Sequence, residues 1–583
     1  VKASDFIIHW LADRGITAAF GVTGGVIANV IDSFRVRPEM RFICTQHEQA
    51  AGLAADGYAR ATDGFGVAIA TSGPGATNLV TAVASSWFDS IPTMSITGNV
   101  STNMERGNRG VRQYGFQEMD IVSIVSSITK YAVQVNDPWR IRYELGKAYH
   151  MMLSHRRGPV LLDFPMDMQK AEIEPARAEG FIPPRQAIPD IDADVGLTRR
   201  MLEISERPVL ILGNGIRMAD AIRDAILFAE RNALPTLPSW AGLDLMPHDH
   251  PNFVGQFGVY GNRAANYAVQ NADLIISVGC RLDTRMTGPE PKTFARNAMK
   301  VVVDIDPAEI GKSFTPTLSI VADAGQFLRA MNARVAVRKA RKEWWRRIAT
   351  WKQMYDGALR EFPTELPYGA NPYEVLSAIS RVVPEDAILI GEAGCNLCWA
   401  VQSLSLRAGQ RFFSDMGFSG MGYSFPAAIG VAAATNRPVI CIAGDGGFQM
   451  MINELQTVKH YGLPVKVLLL NNHIYGLIVQ FQEETLEGRT AASVPEGGYS
   501  TPDFGAVARA YGIETAKVYR NSDPVGPFLR MLEYPGPYLL DVHINPAARV
   551  LPKPLGRPIE DQYPFLDRAE FRRNMIVPPV EPQ

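Results

Sequence analysis

The stretch Val439-Ile440-Cys441-Ile442-Ala443-Gly444-Asp445-Gly446-Gly447, followed one βα unit later by the apolar run Val465 to Leu470 and by Asn471-Asn472, decides how this chain is read. Both apolar runs have the length of buried strands. A strand that ends in Gly-Asp-Gly-Gly and opens toward a helix turns backbone N–H groups and a positive helix end toward an anion. Mg²⁺ takes oxygen ligands and commonly shares them with phosphate, so Asp445, the side-chain oxygen of Asn472 and the carbonyl of Ile474 make a sufficient ligand set. Gly444-Asp445-Gly446-Gly447 alone also fits a glycine-rich strand-to-helix turn; the Asn-Asn pair after the next strand favours a phosphate and magnesium site.

Outward from this unit, short β-rich runs alternate with helical periodicity along the whole chain. Residues 1–175 carry such runs at Phe42 to Thr45, Val67 to Ala70, Met94 to Thr97 and Val160 to Asp163. A Pro-rich stretch from Glu174 to Pro189 reads as a linker. A second unit, 190–345, begins with Pro208 to Gly213 and contains Leu274 to Val278 and Val301 to Ile305. Lys339 to Ala370 is charged and Trp-rich, then punctuated by Pro and Gly, as expected of a surface connector. A third unit, 371–545, carries Ala387 to Ile390, Val439 to Ala443, Val465 to Leu470 and Tyr538 to Val542, and the Pro-rich tail 546–583 is expected to lie over a neighbouring domain or subunit. The expected fold class is α/β, with three doubly wound parallel-sheet domains.

At 583 residues the chain is too long for one core. A net charge of −2 provides no basic field for nucleic acid or an anionic membrane, which leaves small-molecule chemistry. No apolar run reaches membrane-spanning length and the amino-terminal segment has no long apolar signal core, so a cytoplasmic protein is expected. Five scattered cysteines argue against a disulfide framework. Cys395-x-x-Cys398 reads as packing at a helix start, with a redox pair as the alternative.

The Gly-Asp-Gly and Asn-Asn pair resembles the cofactor motif of the thiamine diphosphate enzymes. Glu48 in Gln46-His47-Glu48-Gln49-Ala50-Ala51 is similar to the family's cofactor-activating glutamate, and Thr71-Ser72-Gly73-Pro74-Gly75-Ala76-Thr77-Asn78 to its pyrimidine-side loop. The resemblance runs from near residue 1 to about residue 550 and implies pyrimidine-binding, central and diphosphate-binding domains. It also implies a C2 carbanion on the cofactor that adds to a ketone and absorbs the electrons of a departing carboxylate. Pro74, Asn78, Asn396, Met421, Gly444, Asp445, Gly446, Gly447 and Asn472 would hold thiamine diphosphate, with Met421, between Gly420 and Gly422, as the apolar wedge that bends it. His47 is read as a hydrogen-bonded structural histidine.

Within the family the chain looks most like acetohydroxyacid (acetolactate) synthases. Phe116-Gln117-Glu118, Gly24-Gly25 and Arg281-Leu282-Asp283-Thr284-Arg285-Met286-Thr287-Gly288 match elements of that branch. The resemblance implies a catalytic set of Glu48, Gly25, Phe116, Gln117, Arg285 and Phe481, in which Arg285 grips the carboxylate of an acceptor 2-oxoacid; a flavin contact or an interdomain ion pair is the other reading of Arg285. Gly213, Gly215, Arg156, Arg281, Asp283, Arg285, Asp304 and Asp323 fall where such synthases contact FAD, which would serve a non-redox role. The family further implies a homodimer or homotetramer in which Glu48 of one chain completes the Asp445 site of another. The departures cluster around the acceptor pocket. Gly476-Leu477-Ile478-Val479-Gln480-Phe481-Gln482 has Phe where the branch has Trp, and Gly258-Val259-Tyr260-Gly261 replaces a Gly-Met-His-Gly segment. Together with Val111-Arg112-Gln113, they resemble yersiniose-type carboligases of surface-polysaccharide pathways. The scattered histidines offer no adjacent pair to protonate the carbanion. The expected activity is therefore carboligation: acetyl transfer from pyruvate to a second pyruvate, giving acetolactate, or to a ketone or nucleotide-linked keto-sugar. An FAD-linked pyruvate oxidase and a catalytically inactive binding subunit are the readings from other classes.

Overall fold

The computed structural model describes residues 1–337, 339–355, 368–519 and 524–580. The first domain contains β1 (Ala18–Gly21), β2 (Arg41–Cys44), β3 (Gly66–Ala70), β4 (Thr93–Asn99), β5 (Tyr131–Gln134) and β6 (Val160–Pro165), in the order β2-β1-β3-β4-β6-β5. The central domain contains β7 (Pro208–Leu212), β8 (Thr236–Pro238), β9 (Leu274–Val278), β10 (Met299–Asp304) and β11 (Leu318–Val321), ordered β11-β10-β9-β7-β8. The third contains β12 (Ile388–Gly391), β13 (Arg411–Phe413), β14 (Val439–Gly444), β15 (Val465–Asn471), β16 (Glu514–Val518) and β17 (Tyr538–His543), ordered β13-β12-β14-β15-β17-β16. All three sheets are parallel, and β4 and β15 are buried at every residue, as strands covered on both faces must be. The third sheet repeats the winding of the first strand for strand, although no sequence repeat is visible between them.

In each sheet the chain winds outward on one side of its first strand and then returns to continue on the other. The order thus reverses between β1 and β3, between β7 and β9, and between β12 and β14. Open α/β sheets bind ligands at the carboxyl ends of such strand pairs. Beyond those ends the chain carries Gly24-Gly25 and Thr71–Asn78 in the first domain, Gly213-Asn214-Gly215 and Gly279-Cys280-Arg281 in the central domain, and Glu392–Asn396 and Asp445-Gly446-Gly447 in the third.

The first and third domains share one core through two equivalent helices, α1 (Glu48–Thr62) and α2 (Ser424–Ala434), with Ala51, Ala54 and Tyr58 packed among Phe425, Ala428 and Ile429. Glycines let the backbones touch: a Cβ on Gly57 would lie 2.1 Å from the Ala427 carbonyl oxygen and one on Gly430 1.8 Å from that of Ala54. The register Gly57–Ala427 and Ala54–Gly430 makes the pair antiparallel. Arg41 bonds the Ala433 carbonyl at one end (2.9 Å), and the Tyr423 hydroxyl bonds Asp56 toward the other (2.6 Å).

The tail returns to the central domain of its own chain, where Arg296 pairs with Glu560 (2.9 Å), and to the helix that follows that domain, where the Trp351 indole donates to Asn574 (3.0 Å). Of the connector expected between the second and third units, the helix Lys342–Met354 is present; its stretch 356–367 lies outside the described residues.

Candidate active site

Glu48 is the first residue of α1, and His47 caps that helix by accepting from the Gln49 amide (3.1 Å), which satisfies one of the N–H groups a helix start leaves free. The half-buried Glu48 carboxylate accepts from Asn78 Nδ2 at 2.9 Å, and a Cβ on Gly75 would crowd its other oxygen at 3.2 Å. Thr71 Oγ1 and Ser72 Oγ are buried here without a partner, as are groups that await a ligand. Gly25 opens onto free space, with nothing within 4 Å of where its Cβ would be. Gln117, at φ +63°, sets its carbonyl 3.1 Å from the Cβ position of Gly73 and so brings Phe116, which is 85% exposed, to the Pro74 loop. Burial opposes the charge of Glu118, but the amides of Arg106 (2.6 Å), Tyr114 (2.9 Å) and Gly115 (3.2 Å) prevail and hold its pKa below the usual carboxylate value.

The third domain gathers the other half. Asp445 is buried; one oxygen accepts from the Gly446 amide (3.0 Å), and Oδ2 makes no bond of hydrogen-bond geometry, although the Tyr499 hydroxyl and the His473 amide stand near the carboxylate. Burial pushes its pKa up to about 7. A buried carboxylate oxygen left unpaired is costly unless a cation completes it, so the donor set fits Mg²⁺. The Asn472 side-chain oxygen accepts from the Ile474 amide (3.3 Å), and the Ile474 carbonyl accepts from Gly476 (2.9 Å) with one lone pair to spare. The glycines form a cradle that side chains would fill. A Cβ would meet Asn396 Oδ1 at 2.8 Å from Gly444, the Tyr475 ring at 2.4 Å from Gly446, with Met421 Cε at 3.1 Å, and Glu392 at 2.5 Å from Gly447.

Glu392 is a residue that the sequence reading missed. It is fully buried at the end of β12, and its oxygens accept from the amides of Ala393 (3.0 Å), Gly422 (3.0 Å), Tyr423 (3.3 Å) and Ser424 (3.0 Å) and from the Ser424 hydroxyl (2.7 Å). Burial raises its pKa against these donors, all of which favour the carboxylate. The Met421 loop is thereby pinned from below. From the first domain, Asp89 accepts from Arg60 (2.8 Å) and from the amides of Met416 (2.9 Å) and Gly417 (2.7 Å), while Asp415 accepts from Gly420 (2.9 Å). Burial, and then the neighbouring Asp89, push Asp415 up to about 7.

The histidines are less scattered in space than along the chain. His473, at φ +60° between Asn472 and Ile474, bonds His543 through Nε2 (3.0 Å) and Thr501 through Nδ1 (2.8 Å). Both of its ring nitrogens are committed, so the pair braces the turn. Cys395 and Cys398 are buried, unbonded thiols, and burial pushes Cys398 up to about 12, as packing residues require.

A cavity of about 830 Å³ opens at the switch point of the central sheet. Arg156, Gly215, Arg281, Asp283, Arg285, Asp304 and Asp323 line it, with Met416 and Gly417 reaching in from the Met421 loop. Gly213 does not line it; its Cβ would strike the Gly279 carbonyl at 1.9 Å, so it serves the packing of β7 against β9. Arg156 pairs with Asp306 (3.0 Å) and Glu309 (2.5 Å), and the buried Arg281 Nε has no hydrogen-bond partner. The volume and the two arginines fit a dinucleotide such as FAD. Arg285 lies over the Tyr260 ring (5.4 Å) and has no ion-pair partner among the described residues. Phe481 and Ile478 stand exposed together on the helix Gly476–Thr485.

Three family models match the chain in the same order as the sheets: the thiamine pyrophosphate enzyme N-terminal TPP binding domain over residues 1–124, the central domain over 198–331 and the C-terminal TPP binding domain over 392–542. The Escherichia coli (strain K12) acetolactate synthase isozyme 1 large subunit is 35% identical across 94% of this chain and 95% of that protein. The Parasynechococcus marenigrum (strain WH8102) acetolactate synthase large subunit is 35% identical across 100% and 92%, and the Zea mays chloroplastic acetolactate synthase 2 is 34% identical across 96% and 88%. The chain belongs to the acetolactate synthase family of thiamine pyrophosphate enzymes. In this family member the residues expected at the cofactor form two separate half-sites. Glu48, Asn78, Gly25 and Gln117 stand at the start of α1, and Asn396, Met421, Asp445 and Asn472 gather beyond the other end of the α1–α2 pair, about 20 Å away by helical rise. Among the described residues, no helix is long and apolar enough to cross a membrane.

Proposed function

We propose that the protein decarboxylates pyruvate and transfers the acetyl unit to the carbonyl of a second compound, giving acetolactate when that compound is another pyruvate. The C1–C2 bond of the donor breaks with release of CO₂, a bond forms between its C2 and the acceptor carbonyl carbon, and the acceptor oxygen takes up a proton, with no net oxidation. The observation that carries this reading is the unpaired Asp445 Oδ2 in a glycine cradle faced by Asn396 and Met421. Thiamine diphosphate, when bound, supplies the carbanion and the electron sink. Asp445, the Asn472 side chain and the Ile474 carbonyl would hold Mg²⁺, Met421 would pack against the bound cofactor, and Glu48, whose carboxylate Asn78 orients, would hold the pyrimidine end and carry a proton at its carboxyl oxygen. Gly25, Phe116, Gln117 and Phe481 shape the acceptor space, and Arg285, free of carboxylate partners and stacked on Tyr260, receives an oxoacid carboxylate. The central cavity would hold FAD in a non-redox role.

The two half-sites support a homodimer or homotetramer whose active sites form between chains, and five free cysteines fit the reducing cytoplasm. The deciding experiment is product analysis with pyruvate alone, in the presence of thiamine diphosphate, Mg²⁺ and FAD. Acetolactate and CO₂ in equal amounts support the reading. Acetate with pyruvate-dependent flavin bleaching would mark an oxidase, and unconsumed pyruvate would refute the proposal. Flavin released on denaturing the purified protein tests the FAD assignment separately.

A further inference from the structure

After the helix Gly476–Thr485 the chain folds back over the turn 472–475. The Ser493 carbonyl accepts from the Tyr475 amide (2.9 Å) and Thr501 bonds His473 (2.8 Å), so the returning segment is tied down on both sides. It is largely exposed; within 486–500 only Ser493 and Tyr499 are buried. Gly498, at φ +106°, and the bond from the Tyr499 amide to the Val494 carbonyl (3.1 Å) turn Tyr499 inward. Its ring packs on that of Tyr475 with centroids 4.0 Å apart, and Tyr475 is the ring that a Cβ on Gly446 would strike. Tyr499 thus reaches the glycine cradle from a stretch outside both the Gly-Asp-Gly and the Asn-Asn motifs. Its hydroxyl is buried and makes no bond of hydrogen-bond geometry, and it stands beside the Asp445 carboxylate, whose Oδ2 is equally buried and open. A phenylalanine would fill the same space without burying an unpaired hydroxyl, a state that folded chains seldom retain. One group has a hydrogen to give and the other has lone pairs to receive it.

We propose that Tyr499 is a further residue of the metal and cofactor site, a positioning residue whose hydroxyl donates to the Asp445 carboxylate when that carboxylate holds Mg²⁺. The inference rests on the reading of Asp445 as a metal ligand. Mg²⁺ tolerates little departure from octahedral geometry, so a ligating carboxylate held at two points meets its demand more often than one held at a single point. The Gly446 amide fixes one Asp445 oxygen (3.0 Å); the Tyr499 hydroxyl fixes the other and leaves it a lone pair for the cation. Because the bond is made in the loaded site, it contributes to cofactor affinity and not to the stability of the metal-free fold.

The test is Tyr499→Phe, which removes the hydroxyl and keeps the ring on Tyr475. Thiamine diphosphate binding is followed by calorimetry as Mg²⁺ is varied at a fixed pH above 7, with thermal unfolding of the metal-free protein measured alongside. The Mg²⁺ concentration that half-saturates cofactor binding is expected to rise about tenfold or more, the loss expected of one hydrogen bond to a charged group. Saturating Mg²⁺ is expected to return kcat for pyruvate decarboxylation to within about twofold of the parent, and the metal-free variant to unfold at or above the parent's temperature, since it no longer buries an unpaired hydroxyl. An unchanged Mg²⁺ requirement would overturn the proposal. So would a raised requirement accompanied by a lower unfolding temperature of the metal-free protein, which would assign the hydroxyl to the fold. The parent and Asp445→Ala separate the two readings. A parent that binds no thiamine diphosphate with Mg²⁺, or an Asp445→Ala protein that binds it as well as the parent, would sink the metal-site reading and this inference with it; binding by the parent, its loss in Asp445→Ala and no change in Tyr499→Phe would sink this inference alone.

Discussion

Glu392→Gln exchanges one carboxylate oxygen for an amide nitrogen in a pocket where the facing backbone groups are all donors. If the new NH₂ takes the Oε1 position, it confronts the amides of Ala393, Gly422 and Tyr423, none of which can turn away. If it takes the Oε2 position, the Ser424 hydroxyl can rotate to accept from it, but the Ser424 amide still loses its acceptor. The second arrangement is the cheaper one. It gives up a charge-assisted bond, about 1.5–3 kcal/mol, and leaves a buried N–H unpaired, about 1–3 kcal/mol, so a loss of roughly 3–5 kcal/mol is expected. For a domain of this size that corresponds to a fall in Tm of about 10 °C. Ser424→Ala, which removes one of the five bonds, should cost only about 1 kcal/mol. The functional effect should exceed the stability effect, because the released amides belong to the Met421 loop and a shift of about 1 Å at a reacting centre can cost about 100-fold in turnover. Thermal unfolding together with single-turnover pyruvate decarboxylation measures both quantities. A Glu392→Gln protein with the parent's Tm and kcat would show that this carboxylate does not hold the loop.

Four further outcomes are expected. With Asp445 raised to about 7, the metal-free folded protein holds a proton that the unfolded chain has released above about pH 4, so its stability falls as pH rises through that window and Mg²⁺ must displace the proton below pH 7. Mg²⁺-dependent cofactor affinity should thus drop about tenfold per pH unit below 7, with a slope shallower by one proton in Asp445→Asn; identical slopes would refute it. Refolding Glu48→Gln with Asp445→Ala should restore partial activity through one unmutated site per mixed dimer, and no recovery in dimers verified by mass would place the site within one chain. Gly430→Ala and Gly57→Ala should each cost about 1–3 kcal/mol by forcing α1 from α2, and the double variant should cost less than their sum because one displacement relieves both clashes; additive losses in denaturant unfolding would count against this. Arg285→Lys should depress reaction with oxoacid acceptors far more than with uncharged ketones, since an ammonium cannot reproduce the planar fork, and equal losses would assign Arg285 to the central cavity.

The interior strands were legible because strands covered on both faces are written as unbroken apolar runs, such as Val465 to Leu470 and Leu274 to Val278. The apolar pattern did not single out β5, β8, β11, β13 and β16, all of which are sheet edges. There one side faces no neighbour, and the residues alternate or turn polar, as in Glu514-Thr515-Ala516-Lys517-Val518. β1 escaped for another reason: Ala18-Ala19-Phe20-Gly21 sits inside the sheet but is built from small residues that carry little hydropathic weight. At the site, the Gly444-Asp445-Gly446-Gly447 motif was readable because each of its glycines answers a contact closer than 3 Å that a Cβ would make. Glu392 was not, because an acid beside Gly391 and Ala393 looks like any surface acid until the fold brings the amides of Gly422 to Ser424 onto it. The His473–His543 pair was hidden in the same way, by a separation of 70 residues that vanishes when β15 and β17 pair Asn471 with His543.

The repeat between the first and third domains supports the proposal that the two half-sites of one chain need a second copy. The two sheets wind identically, so the loop after β3 that carries Pro74 and Asn78 has its counterpart after β14 in Asp445-Gly446-Gly447. Their helices α1 and α2 are equivalent elements packed antiparallel, and a contact of that kind points the two domains' binding ends in opposite directions. No hinge between them brings Glu48 to its own Met421 without breaking the glycine contacts at Gly57 and Gly430. In the proposed dimer, a second chain related by a twofold axis would present its third-domain end where the first chain's α1 begins, and the same operation would build the other site, so both would form together or not at all. The exposed apolar side chains fit that arrangement. Phe116 borders one half-site and Met450, Ile478 and Phe481 the other, and at 49–85% exposure they are poor company for water but suited to close a shared pocket.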